Sequence, residues 1–143
     1  MAELDAETMA KLYSDDVVFE DPAFGQLKGE RVRNMWRMLL ASQKKETFRV
    51  AVSDVVISDE RASCRIEATY LFTRTGRRVI NRITASFILK DGKIVAHTDD
   101  FNLHRWSSKA LGIKGYLFGW TPFFRRKLQA QTNRMLDRFK SGQ

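Results

Sequence analysis

From Glu30 onward, apolar residues recur at Val32, Met35, Trp36, Leu39 and Leu40, the i, i+3, i+4, i+7, i+8 spacing of one helical face. This stretch predicts a helix that buries one stripe and turns its arginines to water. Before it, residues 5–13 carry acids in the first turn and Met9, Leu12 and Tyr13 on one side, which predicts a short helix. Residues 17–20 read as a strand and 22–29 as a loop. After residue 47 the period changes from 3.6 to 2. Residues 48–57 are rich in Val and Ile. Residues 62–72 alternate Ala62, Cys64, Ile66, Ala68, Tyr70 and Phe72 with polar neighbours, and 79–89 alternate Val79, Asn81, Ile83, Ala85, Phe87 and Leu89 in the same way. A last strand covers 93–103. The breaks between these runs are two or three residues long, and Asp91-Gly92 is a strong hairpin signal, so the strands form an antiparallel meander.

The tail opens with a helical turn from Trp106 to Leu111, passes through a segment punctuated by Gly112, Gly115 and Gly119, and restarts at Thr121-Pro122, a cap residue followed by proline at the first helical position. On this last helix Phe124, Leu128, Met135 and Phe139 line one side, with Phe123 and Leu136 beside them. Two helices followed by consecutive strands make an α+β domain whose sheet can curl around a helix. Residues 1–105 are expected to form this domain, and 106–143 a helical extension packed on it.

Composition sharpens the picture in three places. The chain has 143 residues and a formal charge of +8, but residues 1–105 hold 17 Lys and Arg against 16 Asp and Glu, whereas 106–143 hold 8 against 1. The basic excess therefore belongs to the tail, an amphipathic helix that either packs on the domain with its cations solvated or meets an anionic surface. Packing is the expected role, with no nucleic-acid partner. Cys64 is the only cysteine and cannot form an internal bridge, and Met1 leads into a polar, acidic stretch rather than a signal segment, so a reducing, cytoplasmic setting is expected. No run approaches the roughly 18 apolar residues of a membrane span. Two histidines and scattered acids show no metal-ligand spacing, and there is no nucleophile elbow, phosphate-cradling loop or dinucleotide fingerprint. No metal or cofactor is expected.

The short helix, the phrase LYSDDVVFEDP (residues 12–22), the glycine-bounded loop, the helix bearing Trp36 and the long meander together resemble the NTF2-like superfamily, most closely its SnoaL-like and ketosteroid-isomerase-like branch. The phrase FNLHRWSSKALGIKGYLFGWTP (101–122) is similar to a bacterial subgroup described only as nuclear transport factor 2 family proteins. The resemblance implies a cystatin-like cone, a curved antiparallel sheet wrapped around helices with an internal pocket, here with an extra C-terminal helix. It also implies a homodimer, and functions that range from isomerases, cyclases and hydrolases to binding modules without catalysis.

In the isomerases, the aspartate before the proline of the EDP phrase is the general base, which falls here on Asp21. Strand alternation then points Asp21 inward and Glu20 outward. An apolar pocket disfavours the charged carboxylate and raises its pKa toward neutrality. The competing reading is a turn in which the carboxylate accepts backbone N–H bonds around Pro22. Alternation along the last strand places His97 and Asp99 on the pocket face, where the carboxylate can orient the imidazole. The alternative is a pair of rim residues of no catalytic consequence. The isomerase's tyrosine donor belongs to a longer N-terminal helix, and its partner aspartic acid falls near Thr84 or Ala85, so steroid isomerisation is not expected. Trp36, Tyr70, Phe72, Asn81, Ala85 and Phe101 are the expected pocket lining, and an apolar or aromatic small molecule the expected ligand. Whether the chain is an enzyme stays open at this point.

Overall fold

The computed structural model describes residues 5–141; the chain start at 1–4, read above as free of a signal segment, and the last two residues of the expected extension lie outside it. Eleven elements follow in order: α1 (Ala6–Ala10), β1 (Tyr13–Asp21), β2 (Gly25–Lys28), α2 (Glu30–Ala41), β3 (Arg49–Ser58), β4 (Arg61–Phe72), β5 (Arg77–Lys90), β6 (Lys93–Asp100), α3 (Leu103–Leu111), α4 (Ile113–Phe118) and α5 (Pro122–Ser141). The strands form one curved sheet in the order β2-β1-β6-β5-β4-β3. Helices on its inner face complete an α+β, NTF2-like fold with an added C-terminal helix.

The β3–β6 meander follows the period-2 pattern closely. Asp91 and Gly92 both adopt positive φ, the backbone that a tight two-residue hairpin turn requires. One pairing departs from the meander logic: β1 lies parallel to β6, with Phe19 opposite His97 and Glu20 opposite Thr98. Parallel neighbours need a long crossover, and here nearly the whole domain supplies it.

Several expectations are corrected. The segment 22–29 is not all loop, because Gly25–Lys28 folds back on β1 as β2, with Asp21 opposite Gly25. The first strand starts earlier than residue 17, at Tyr13. The last strand stops at Asp100 rather than 103, because the Asn102 side chain accepts from Arg105 N (2.9 Å) and caps α3. The glycine-punctuated segment, for which the sequence predicts no element, folds as the short helix α4. The arginines of α2 do not simply face water. Arg33 donates to the carbonyls of Tyr13 (2.7 Å) and Ala10 (3.2 Å), and Arg37 pairs with Glu7 and Glu30, both at 2.7 Å.

Two apolar clusters hold the layers together. Tyr13, Val17, Phe19, Phe24, Leu27, Val32, Met35 and Leu136 pack between β1, β2, α2 and α5. Val79, Leu103, Trp106 and Ala110 form a second cluster, joined by Tyr70, Phe72, Phe101, Phe124 and Leu128. Helix α5 thus touches both, through Phe124 and Leu128 at one end and Leu136 at the other. Met135, expected on its apolar side, is exposed, and Leu136 takes the buried position; Phe123 is exposed as well.

Candidate active site on the inner face of the sheet

Strand β1 carries Val17 and Phe19 into the first core cluster, and alternation brings Asp21 to the same face while Glu20 is exposed. Its neighbour β6 brings His97 and Asp99 inward, only 3% and 7% exposed, with Thr98 and Asp100 outside. Asp99 lies opposite Ala85 on β5, and Ala85 opposite Cys64 on β4, so a small residue separates the acid from the thiol across the sheet.

The three residues singled out on β1 and β6 share this face, and a fourth that the sequence did not single out completes the arrangement. The Tyr13 hydroxyl lies 2.9 Å from His97 Nδ1, and His97 Nε2 lies 2.7 Å from Asp99 Oδ1. A carboxylate only accepts, so Nε2 carries the proton. Burial raises the Tyr13 pKa, so its hydroxyl stays protonated where it meets Nδ1. Both ring nitrogens are thus satisfied. Aromatic rings wall it in: Tyr13 and Trp36 lie near-parallel to it at 6.0 and 6.2 Å, Phe19 meets it edge-on at 5.0 Å, and Phe87 lies at 4.3 Å.

Asp21 combines both readings of its position. Oδ1 accepts from Ala23 N (2.9 Å) and Phe24 N (2.6 Å), the turn-forming arrangement. Yet the carboxyl is pushed up to about 7, chiefly by burial and further by the negative charge of Asp99, with the two N–H bonds and His97 only partly offsetting this. Asp21 therefore senses the charge of Asp99, and Tyr70, raised chiefly by burial, senses that of Asp21. Cys64 is raised by burial and by Asp99.

The turn that fixes Asp21 is held from above by α5. Gln129 Nε2 donates to the Pro22 carbonyl (3.0 Å), Thr132 Oγ1 to that of Ala23 (2.9 Å) and Asn133 Nδ2 to that of Phe24 (3.0 Å). All three carbonyls of the loop after Asp21 are thus taken by one helix. Sequence reading could not find these partners, since polar residues on a basic helix carry no mark of what they touch.

Of the expected pocket lining, Trp36 sits beside His97, whereas Tyr70, Phe72 and Phe101 pack in the second cluster, where the Tyr70 hydroxyl accepts from Trp106 Nε1 (2.8 Å). Asn81 and Ala85 are buried on β5. The Trp36 N–H is the one buried side-chain polar group without a hydrogen-bond partner among the described residues; it lies near the Tyr13 oxygen but outside hydrogen-bond geometry. Two surface hollows lie elsewhere. One, of about 850 Å³, runs along α1, α2 and the start of β1 between Glu7, Lys11, Asp15, Arg33 and Arg37; the other lies against the β3–β6 strands. Among the described residues no helix is long and apolar enough to cross a membrane, and no group of three or more His, Cys, Asp and Glu side chains converges as a metal site.

A curved sheet around helices, with an acid–imidazole row on its inner side, defines a domain of NTF2-like fold. Residues 1–97 match the SnoaL-like domain family, and the chain belongs to that family. A search of curated protein sequences gives no match. Among solved structures it is similar to a candidate isomerase from Rhodopseudomonas palustris (18% identity over 74% of this chain and 83% of that one, TM-score 0.65). It is also similar to a protein of ketosteroid-isomerase-like fold from Catenulispora acidiphila, solved with trimethylamine (13%, 85% and 90%, 0.68), and to an LEH-like epoxide hydrolase from M. tuberculosis (21%, 80% and 79%, 0.60). At these identities the likeness concerns the fold.

Proposed function

We propose that the domain binds a small apolar or aromatic molecule against the inner face of the sheet and acts on it by proton transfer, with Asp21 as the base. The observation that carries this reading is the Asp21 carboxyl at about 7, held by two backbone N–H groups on Oδ1 while Oδ2 makes no such bond. A group poised near neutrality both takes and returns a proton, which isomerisation, cyclisation and water activation all require. In this reading His97, held between Tyr13 and Asp99, and Asp99 itself assist the base. Trp36, Tyr70, Phe72, Asn81, Ala85 and Phe101 bound the ligand. The unpartnered Trp36 N–H supports it too: a buried donor left unpaired costs on the order of 1–3 kcal/mol, which an acceptor atom on a ligand offsets. No cofactor is invoked, and the lone thiol fits a reducing cytoplasmic setting.

The test is hydrogen exchange into a cyclic enone such as cyclohexenone in heavy water, followed by NMR. Wild type is expected to catalyse exchange and Asp21→Asn to lose it while still folding, since the Asn oxygen can keep both backbone bonds. Equal exchange by the variant removes Asp21 from the mechanism.

A second reading is a non-catalytic binding and dimerisation module. It is favoured by Val55, Val56 and Ile57 on β3 and Ile88 on β5, apolar side chains left exposed on the sheet. A homodimer through this sheet would cover several of them. Native mass spectrometry that finds only monomer, together with exchange activity, eliminates it.

A further inference from the structure

The corner between α4 and α5 exposes more large apolar surface than any other short stretch of the described residues. Ile113, Tyr116, Leu117, Phe118, Trp120 and Phe123 are all more than half exposed, with Ile113 at 74%, Trp120 at 69% and Phe123 at 66%. Their outward direction follows from how α4 is docked. A Cβ placed on Gly115 would lie 1.9 Å from the Ser107 carbonyl oxygen, and one on Gly119 2.7 Å from the Ser107 side chain. The glycine side of α4 therefore rests directly on α3, which leaves Ile113 and Leu117, one turn apart, on the opposite side. His104 Nε2 meets the Tyr116 carbonyl at 2.7 Å and adds a second tie.

Three side-chain hydrogen bonds brace the corner. Thr121 Oγ1 donates to the Phe118 carbonyl (2.8 Å) and accepts from Phe124 N (3.1 Å), and the Trp120 indole N–H donates to the Leu117 carbonyl (3.0 Å) with its ring still outward. The side chains are thus presented without the ordering cost that a flexible loop would incur on binding.

Charge selects the occupant. Residues 101–136 contain no acid at all, and Lys114, Arg125, Arg126 and Lys127 are exposed within and beside the apolar group. Arg77 adds its guanidinium next to Gly112, and Lys127 lies 5.8 Å above the Phe123 ring. A second copy docked through this face about a two-fold axis would set these cations against their own images. Anionic phospholipid matches both halves of the surface: headgroups meet the cations, and Trp, Tyr and Phe side chains are suited to the headgroup boundary.

We propose that the α4–α5 corner is a docking site for an anionic lipid surface, with Ile113, Leu117, Trp120 and Phe123 entering the headgroup boundary and Lys114, Arg125, Arg126 and Lys127 meeting the phosphates. The domain then sits at the membrane without crossing it, its helical extension serving as the contact.

Co-flotation of the full chain with vesicles of phosphatidylcholine alone, and of phosphatidylcholine containing about a third phosphatidylglycerol, tests this. Expected are retention on the anionic vesicles only, weakened by salt, and a blue shift of tryptophan emission that disappears in Trp120→Phe, because Trp36 and Trp106 are already shielded. The double variant Trp120→Ala/Phe123→Ala and the triple variant Arg125→Gln/Arg126→Gln/Lys127→Gln should each lower retention roughly tenfold or more with unfolding unchanged. The wild-type blue shift stands as a readout even if a variant misfolds. Absence of retention and shift with anionic vesicles overturns the proposal. So does a wild-type dimer that becomes monomeric in the Trp120→Ala/Phe123→Ala variant, since the face would then belong to a second copy.

Discussion

Tyr13 and His97 stand 84 residues apart in the chain and meet at 2.9 Å, hydroxyl to Nδ1, in the interior of the domain. The contact exists because β1 and β6 run parallel, with Tyr13 opposite Ile94 and Phe19 opposite His97. It occupies Nδ1 of the imidazole while Nε2 faces Asp99 Oδ1 at 2.7 Å. Removing the hydroxyl in Tyr13→Phe leaves Nδ1 buried without its partner. A loss of about 1–3 kcal/mol in urea unfolding is expected, along with a change in the His97 ring-nitrogen shifts. Unchanged nitrogen shifts would show that Tyr13 does not govern the ring nitrogens.

Asp21 makes stability pH-dependent in the direction opposite to an ordinary paired acid. Its carboxyl ionises near 3.8 when unfolded and at about 7 when folded, so between these values the folded state holds a proton that the unfolded state has lost. Its contribution therefore declines as pH rises from about 4 to 7, by at most about 4 kcal/mol. Thermal unfolding of wild type and Asp21→Asn at pH 5 and pH 8 isolates it. The variant should gain on wild type at the higher pH, and parallel behaviour at both would contradict the buried assignment.

Asp99 raises Asp21 through its charge, so neutralising it should lower the Asp21 midpoint from about 7. Carbon NMR titration of the carboxyl in Asp99→Asn reads this directly. An unmoved midpoint would mean that burial alone sets the value.

Gly115 packs against the Ser107 carbonyl with no room for a methyl group. Gly115→Ala should displace α4 from α3 and cost about 1–3 kcal/mol by overpacking, read as a lower thermal midpoint. Gly119→Ala is expected to behave similarly.

Helix α5 holds the loop after Asp21 by three side-chain bonds and inserts Leu136 into the first core cluster, 1% exposed. Leu136→Ala should cost about 2–5 kcal/mol. Asn133→Ala should cost much less, about 1 kcal/mol, but raise amide exchange at Ala23 and Phe24. If that exchange stays slow, the helix is packing only and does not position the acid.

Much of the architecture was readable from periodicity. The alternation in β4, β5 and β6, the stripe on α2, the Asp91-Gly92 turn and the Thr121-Pro122 start of α5 are local, since each depends on residues a few positions apart. The inward side of β6 was legible for the same reason, and so His97 and Asp99 could be named before any coordinates. What local pattern could not supply was the partner across a long loop. Strand β2 is four residues long with one buried side chain, too little for a period to register. Tyr13 fits a short amphipathic helix as well as it fits a strand, and only pairing with β6 decides between them.

The sequence by itself determined which faces are apolar, where the chain turns and where the positive charge lies, because these follow from residue spacing and formal charge. Tertiary structure alone decided that Tyr13 reaches His97, that α5 clasps the loop of Asp21, that Leu136 rather than Met135 is buried, and that the aromatic residues around Trp120 face outward. Each of these depends on which surface another element covers. That choice is made by whole-domain packing, down to the absence of two side-chain carbons at Gly115 and Gly119.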